Sequence, residues 1–98
     1  MTIDFSGKII LVTGASGGIG SAISKAFAKA GGTVIIHYNS NKIGAEETLA
    51  SLSGNGHFIK KADLSDPREV ESMIQSLAPV DIVVNNAAVV EQYDFDSL

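Results

Sequence analysis

Three short blocks of β-branched and aliphatic residues, at positions 8–13, 33–38 and 81–85, punctuate the chain, and a fourth, more polar block lies at 57–62. Each is too short for a helix that packs on its own. The first, closed by Gly14, reads as a strand buried on both faces. All four are predicted strands, the polar one at a sheet edge. Between the first two, Ile19, Ala22, Ile23, Ala26, Phe27 and Ala30 recur at three- and four-residue spacing, predicting an amphipathic helix over 18–30 that Gly31 and Gly32 end. Ser40 is placed to cap a second helix, about 41–52, stopped by the turn Ser53-Gly54-Asn55-Gly56; Gly44 inside it weakens that helix. Asp66-Pro67-Arg68-Glu69 combines an N-cap acid, a proline at N1 and a capping-box glutamate at N3, which starts a third helix that runs to about residue 77, before Ala78-Pro79. Positions 86–98 are expected to form an irregular tail.

Strands alternating with helices at this spacing imply parallel βαβ units joined by right-handed crossovers. The expected fold class is α/β, a doubly wound parallel sheet of order 3-2-1-4, with residues 1–98 as one partial domain. A content of 45% hydrophobic and 18% charged residues in 98 is that of a folded chain with a core. The net charge of −4 comes from scattered acids, which argues against a nucleic-acid surface. Without cysteine, and with only His37 and His57 as nitrogen donors, no metal is expected. The N-terminus has no basic region leading into an apolar one, and no apolar run approaches the length of a membrane span, so a cytoplasmic location is the default expectation.

The segment that carries chemistry is Thr13-Gly14-Ala15-Ser16-Gly17-Gly18-Ile19-Gly20, between the first strand and the first helix. A tight turn, close approach of backbone to a pyrophosphate, and helix N-terminal amides that stabilise negative charge all call for glycine there. A glycine-rich connection that serves packing alone is the plainer alternative. Two later features fall at matching places: Asp63 just past the third strand, and Asn85-Asn86-Ala87-Ala88 after the fourth.

Together the three motifs resemble the classical short-chain dehydrogenase/reductase family, across nearly the whole chain, and specifically the N-terminal half of its Rossmann-like domain. The resemblance implies a nicotinamide dinucleotide cofactor held by Gly14, Ser16, Gly17, Gly18, Ile19 and Gly20 around the pyrophosphate and adenosine ribose. It places Asp63 and Leu64 at the adenine, and Asn86, Ala87 and Ala88 at the ribose floor. Thr13 and Asn85 have a structural part, tying the first strand to the fourth. Ala88 departs from the family's Asn-Asn-Ala-Gly, which puts close backbone approach to the nicotinamide-side ribose in question.

Cofactor choice rests on an acid about 20 residues beyond the glycines, which binds the ribose 2′-hydroxyl and repels a 2′-phosphate. Here that place is taken by Tyr38, Asn39 and Ser40, none acidic, with Lys42 close behind, which favours NADP over NAD; Gly17, where many NADP-preferring relatives carry a cation, argues the other way. The family's catalytic serine and Tyr-x-x-x-Lys pair follow the fourth strand by more residues than the 98 here, so no catalytic residue is assigned. The string Tyr38-Asn39-Ser40-Asn41-Lys42 matches the pair by coincidence, since it ends a strand on the adenine side. Tyr93 has Ser97, not lysine, four residues on.

Two readings follow: part of an oxidoreductase that moves hydride between NADP(H) and a carbonyl or alcohol, or a non-catalytic dinucleotide-binding or self-assembling module. In either, Ile82, Val83 and Val84 are expected to form an open apolar edge through which copies associate into a homo-oligomer, with aggregation as the plainer alternative. His37 is expected to pack against a helix, and His57 to be a surface or half-buried residue.

Overall fold

The computed structural model describes residues 3–77 and 79–86. The elements alternate as β1 (Ile9–Val12), α1 (Gly18–Lys29), β2 (Thr33–Tyr38), α2 (Lys42–Ala50), β3 (Phe58–Lys61), α3 (Pro67–Ser76) and β4 (Ile82–Val84). The strands form one parallel sheet in the expected order β3-β2-β1-β4. Register is fixed by pairs such as Leu11 with Ile35 and Leu11 with Val83, so the exits of β1, β2 and β3 line up along one rim of the sheet.

Alternation along the strands sends side chains to two cores. Ile10, Val12, Val34 and Ile36 face α1 and α2 and are fully buried. Leu11 and Ile35 face the other way, where Met73 of α3 covers them. Burying such a side chain is worth about 1.5–3 kcal/mol, so these residues outweigh any single helix cap, worth about 1 kcal/mol. At the start of β4, Asp81 and Ile9 bond reciprocally: the Ile9 amide donates to Asp81 Oδ2 at 2.8 Å, and the Asp81 amide donates to the Ile9 carbonyl at 2.9 Å.

Three local expectations are corrected. The buried face of α1 is the small-residue line Gly20, Ser24 and Ala28, flanked by Ile23 and Phe27, whereas Ile19, Ala22 and Ala26 are exposed. Small residues let the helix axis approach the sheet, and Ser24 Oγ donates to the Gly20 carbonyl at 2.8 Å, so its hydroxyl is satisfied in the core. The cap of α2 is Asn41, whose Oδ1 accepts from the Gly44 amide at 3.0 Å, and not Ser40. The capping box on α3 does not close. Asp66 accepts from the Arg68 amide, but Glu69 turns outward to accept from the Asp63 amide at 2.9 Å, which ties α3 to the exit of β3.

Candidate functional site

The β1–α1 connection is built by two different demands on glycine. Gly14 and Gly18 have φ of 63° and 59°, in the left-handed region where a side chain is strained. Gly20 is required for space: a Cβ there would lie 2.6 Å from the Gly14 carbonyl oxygen and 2.8 Å from Ala15 Cα. Gly17, the N-cap of α1, has φ of 176°, an extended conformation open to any residue. Nothing approaches within 4 Å of a Cβ built on Gly17 or Gly18, so the loop is open on the side above the first turn of α1. Gly44 has a reason as well: a Cβ there would collide with the Ser16 carbonyl, so glycine lets α2 pack its first turn against the loop.

The loop is held from three directions. The Thr13 amide donates to the Val84 carbonyl at 3.0 Å, and Thr13 Oγ1 donates to Val84 O and Asn85 Oδ1, both at 3.3 Å, which joins β1 to β4. Asn86 Nδ2 donates to the Gly14 carbonyl at 3.2 Å. From β2, His37 Nδ1 accepts from the Gly14 amide at 3.0 Å, and the His37 carbonyl accepts from the Ala15 amide at 2.9 Å.

Beside the loop lies a cavity of about 190 Å³ between Gly14, Ser16, Asn39 and Ser40 on one side and Asp63 and Leu64 on the other, with His37 and Asn41 also in its wall. The sequence reading therefore converges in space: the glycine turn, the end of β2 and the exit of β3 share one cavity. The donor set suits an anionic nucleotide. Loop amides at a helix N-terminus, the Ser16 and Ser40 hydroxyls and the Asn39 and Asn41 amides can all donate, and no acid stands at the end of β2. Asp63 is the one acid in the wall. Its Oδ1 accepts from the Ser65 hydroxyl at 2.7 Å and the Ser65 amide at 2.9 Å, and these two bonds hold its carboxyl below the ordinary value of 3.8.

Other expected residues sit differently. Ile19 is 72% exposed on the first turn of α1. Tyr38 is only 7% exposed, with its side chain in the core under α1 and α2 rather than in the cavity wall, and Lys42 is exposed on α2. The coincidental tyrosine–lysine string thus puts one member in the core and the other at the surface. Ala87, Ala88 and Tyr93 lie outside the described residues. His57 Nδ1 accepts from the Val34 amide at 2.9 Å and its Nε2 contacts the Ser53 carbonyl at 2.6 Å, a brace between the α2–β3 turn and the start of β2.

The sequence reading missed His37 and Asn41. The signal for His37 was its position: a polar residue near the end of a strand buried on both faces must be hydrogen-bonded, and the glycine turn is the neighbour with amides to offer. A larger groove, about 660 Å³, runs along the α3 side between Leu11, Met73, Ile74, Val80 and Val83. Its walls are mainly apolar, without the converging donors of the smaller cavity, so size alone does not mark the site. Among the described residues no helix is long and apolar enough to cross a membrane.

Comparison with known proteins agrees with this geometry. Residues 8–98 match the family model described as short chain dehydrogenase. An oxidoreductase of Methylorubrum extorquens is 40% identical over 91 residues, which cover 87% of this chain and 37% of that protein. The short-chain dehydrogenase/reductase homolog YusS of Bacillus subtilis is 39% identical over 97 residues, covering 93% of this chain and 89% of the relative. Among solved structures, the landomycin C-6 ketoreductase LanV with bound NADP and rabelomycin superposes with a TM-score of 0.78 at 35% identity, over 87% of this chain and 40% of that one.

Proposed function

The chain belongs to the short-chain dehydrogenase family, and from that premise we propose that it binds the adenosine–pyrophosphate half of NADP(H) at the rim formed by β1, β2 and β3. The observation that carries this reading is the shared cavity of Gly14, Ser16, Asn39, Ser40, Asp63 and Leu64, next to a loop whose helix-side surface is open. Gly18, Ile19 and Gly20 bring α1 amides toward the pyrophosphate, Asp63 and Leu64 bound the adenine, and Asn86 supports the loop from below. The absence of an acid at Tyr38, Asn39 and Ser40, and the donors at the last two, favour the 2′-phosphate of NADP over the bare hydroxyl of NAD. NADP in the LanV structure supports the same choice.

A bound nicotinamide cofactor supplies hydride exchange with a carbonyl or alcohol. Residues of this chain orient its adenine end and fix its pyrophosphate. Calorimetric titration with NADP and NAD tests the proposal. Binding on the order of 0.1–1 mM is expected from the adenosine–pyrophosphate contacts, with NADP tighter. Clearly tighter binding of NAD would overturn the specificity argument, and Gly18→Asp without effect would overturn the site.

We also propose that copies associate through β4. Val83 is 59% exposed on this edge strand, beside the apolar groove against α3, a combination that favours pairing with another chain.

A further inference from the structure

His37 is 2% exposed and spans two places that a nucleotide would have to engage together. On one side its Nδ1 accepts from the Gly14 amide at 3.0 Å; on the other its Nε2 lies 2.8 Å from the carbonyl oxygen of Ala62, the residue before Asp63. An amide can only donate and a carbonyl can only accept, so the ring is neutral with its proton on Nε2. β2 lies between β1 and β3, and the two bonds reach the exits of both neighbours. The glycine turn and the Asp63 wall belong to different βα connections, and β2 carries hydrogen bonds to both. Backbone bonds from Ala15 to His37 and from Ala62 to Tyr38 extend the ladder to the same rim, and the buried ring, bonded at both ends, adds a second link between the two exits.

We propose that His37 is a positioning residue that sets the spacing between the pyrophosphate-binding turn and the adenine-binding wall, so that a ligand carrying both groups is recognised as one unit. The inference rests on the dinucleotide reading above. It makes a distinct prediction, because a spacing element affects the linkage between two subsites more than either subsite alone. For a ligand with both groups, the second contact is intramolecular, and its advantage depends on the subsites standing at the right distance.

Side-chain chemistry separates the two ends. His37→Asn places an amide oxygen near the position of Nδ1 and keeps an acceptor for Gly14. His37→Gln reaches toward Ala62 with a donor. His37→Phe keeps the ring and loses both bonds.

The test is NMR titration of the full 98-residue chain, which reads millimolar constants, with ADP as the ligand carrying both groups and adenosine and inorganic pyrophosphate as its halves. In His37→Phe, ADP binding should weaken about tenfold while adenosine and pyrophosphate each change less than about threefold, and His37→Asn and His37→Gln, each keeping one of the two bonds, should recover only part of the loss. If Phe does not fold, the Asn and Gln variants carry the comparison: each should lose more affinity for ADP than for adenosine or pyrophosphate. Wild-type binding of ADP that persists unchanged in every variant overturns this inference and leaves the dinucleotide reading intact. So does a proportional loss of all three ligands with a falling melting temperature, which marks a merely structural role. Failure of the wild-type chain to bind ADP overturns the dinucleotide reading and the inference with it.

Discussion

Gly20 packs against Gly14 so closely that a Cβ on Gly20 would come within 2.6 Å of the Gly14 carbonyl oxygen. Backbone, unlike a long side chain, cannot swing aside, so Gly20→Ala must displace the loop or the first turn of α1. We expect a loss of about 1–3 kcal/mol, the usual cost of overpacking, together with loss of dinucleotide binding. Gly17→Ala, in extended backbone with open space around it, should stay within about 0.5 kcal/mol of wild type. Chemical denaturation of the two variants checks the contrast, and equal costs would contradict this account of the loop.

Asp63 accepts both the hydroxyl and the amide of Ser65, so its carboxyl titrates below the ordinary value of 3.8. A depressed folded-state value means that the group stabilises the fold at pH above its unfolded value. This contribution disappears as pH falls through the folded-state value. Carboxyl-carbon NMR titration should place the Asp63 midpoint below 3.8. Ser65→Ala should move it upward, and an unchanged midpoint in that variant would remove Ser65 as the cause.

Edge association predicts a dependence on Val83. Val84 packs with the core under α1 and α2, whereas Val83 is exposed toward the α3 groove, so Val83→Lys charges the edge without disturbing that core. Sedimentation at several concentrations should show the wild-type chain associating and Val83→Lys shifted toward monomer. A wild-type monomer at high concentration, unaltered by the lysine, would exclude the edge as an interface.

Much of this was legible in the sequence because the signals were local and redundant. Four strand-length blocks, three of them β-branched and aliphatic, spaced by helix-length segments, mark parallel βαβ units, and the glycine turn announces its role through its place between strand and helix. The features that escaped depend on contacts between distant residues. The most buried line of α1 follows Gly20, Ser24 and Ala28 because close approach to the sheet calls for small residues, so the apolar stripe held at Ile23 and Phe27, which flank the core, and failed at Ile19, Ala22 and Ala26, which are exposed. Glu69 satisfies the Asp63 amide rather than its own helix end, a choice set by the β3 exit. Gly44 read as a flaw in a helix until Ser16 appeared against it. His37 looked like a packing residue because nothing near it in sequence reveals Gly14 on one side and Ala62 on the other.

The central claim is that NADP(H) is held at the rim shared by the glycine turn, the end of β2 and the exit of β3, and amide chemical-shift mapping tests it most directly. Titration with NADP should perturb Gly14, Ser16, Gly18, Ile19 and Gly20 together with Asn39, Ser40, Asp63 and Leu64, while Met73, Ile74 and Val83 of the apolar groove stay unmoved. Perturbations confined to the groove, or none at concentrations up to several times the roughly millimolar constant expected, would contradict the assignment.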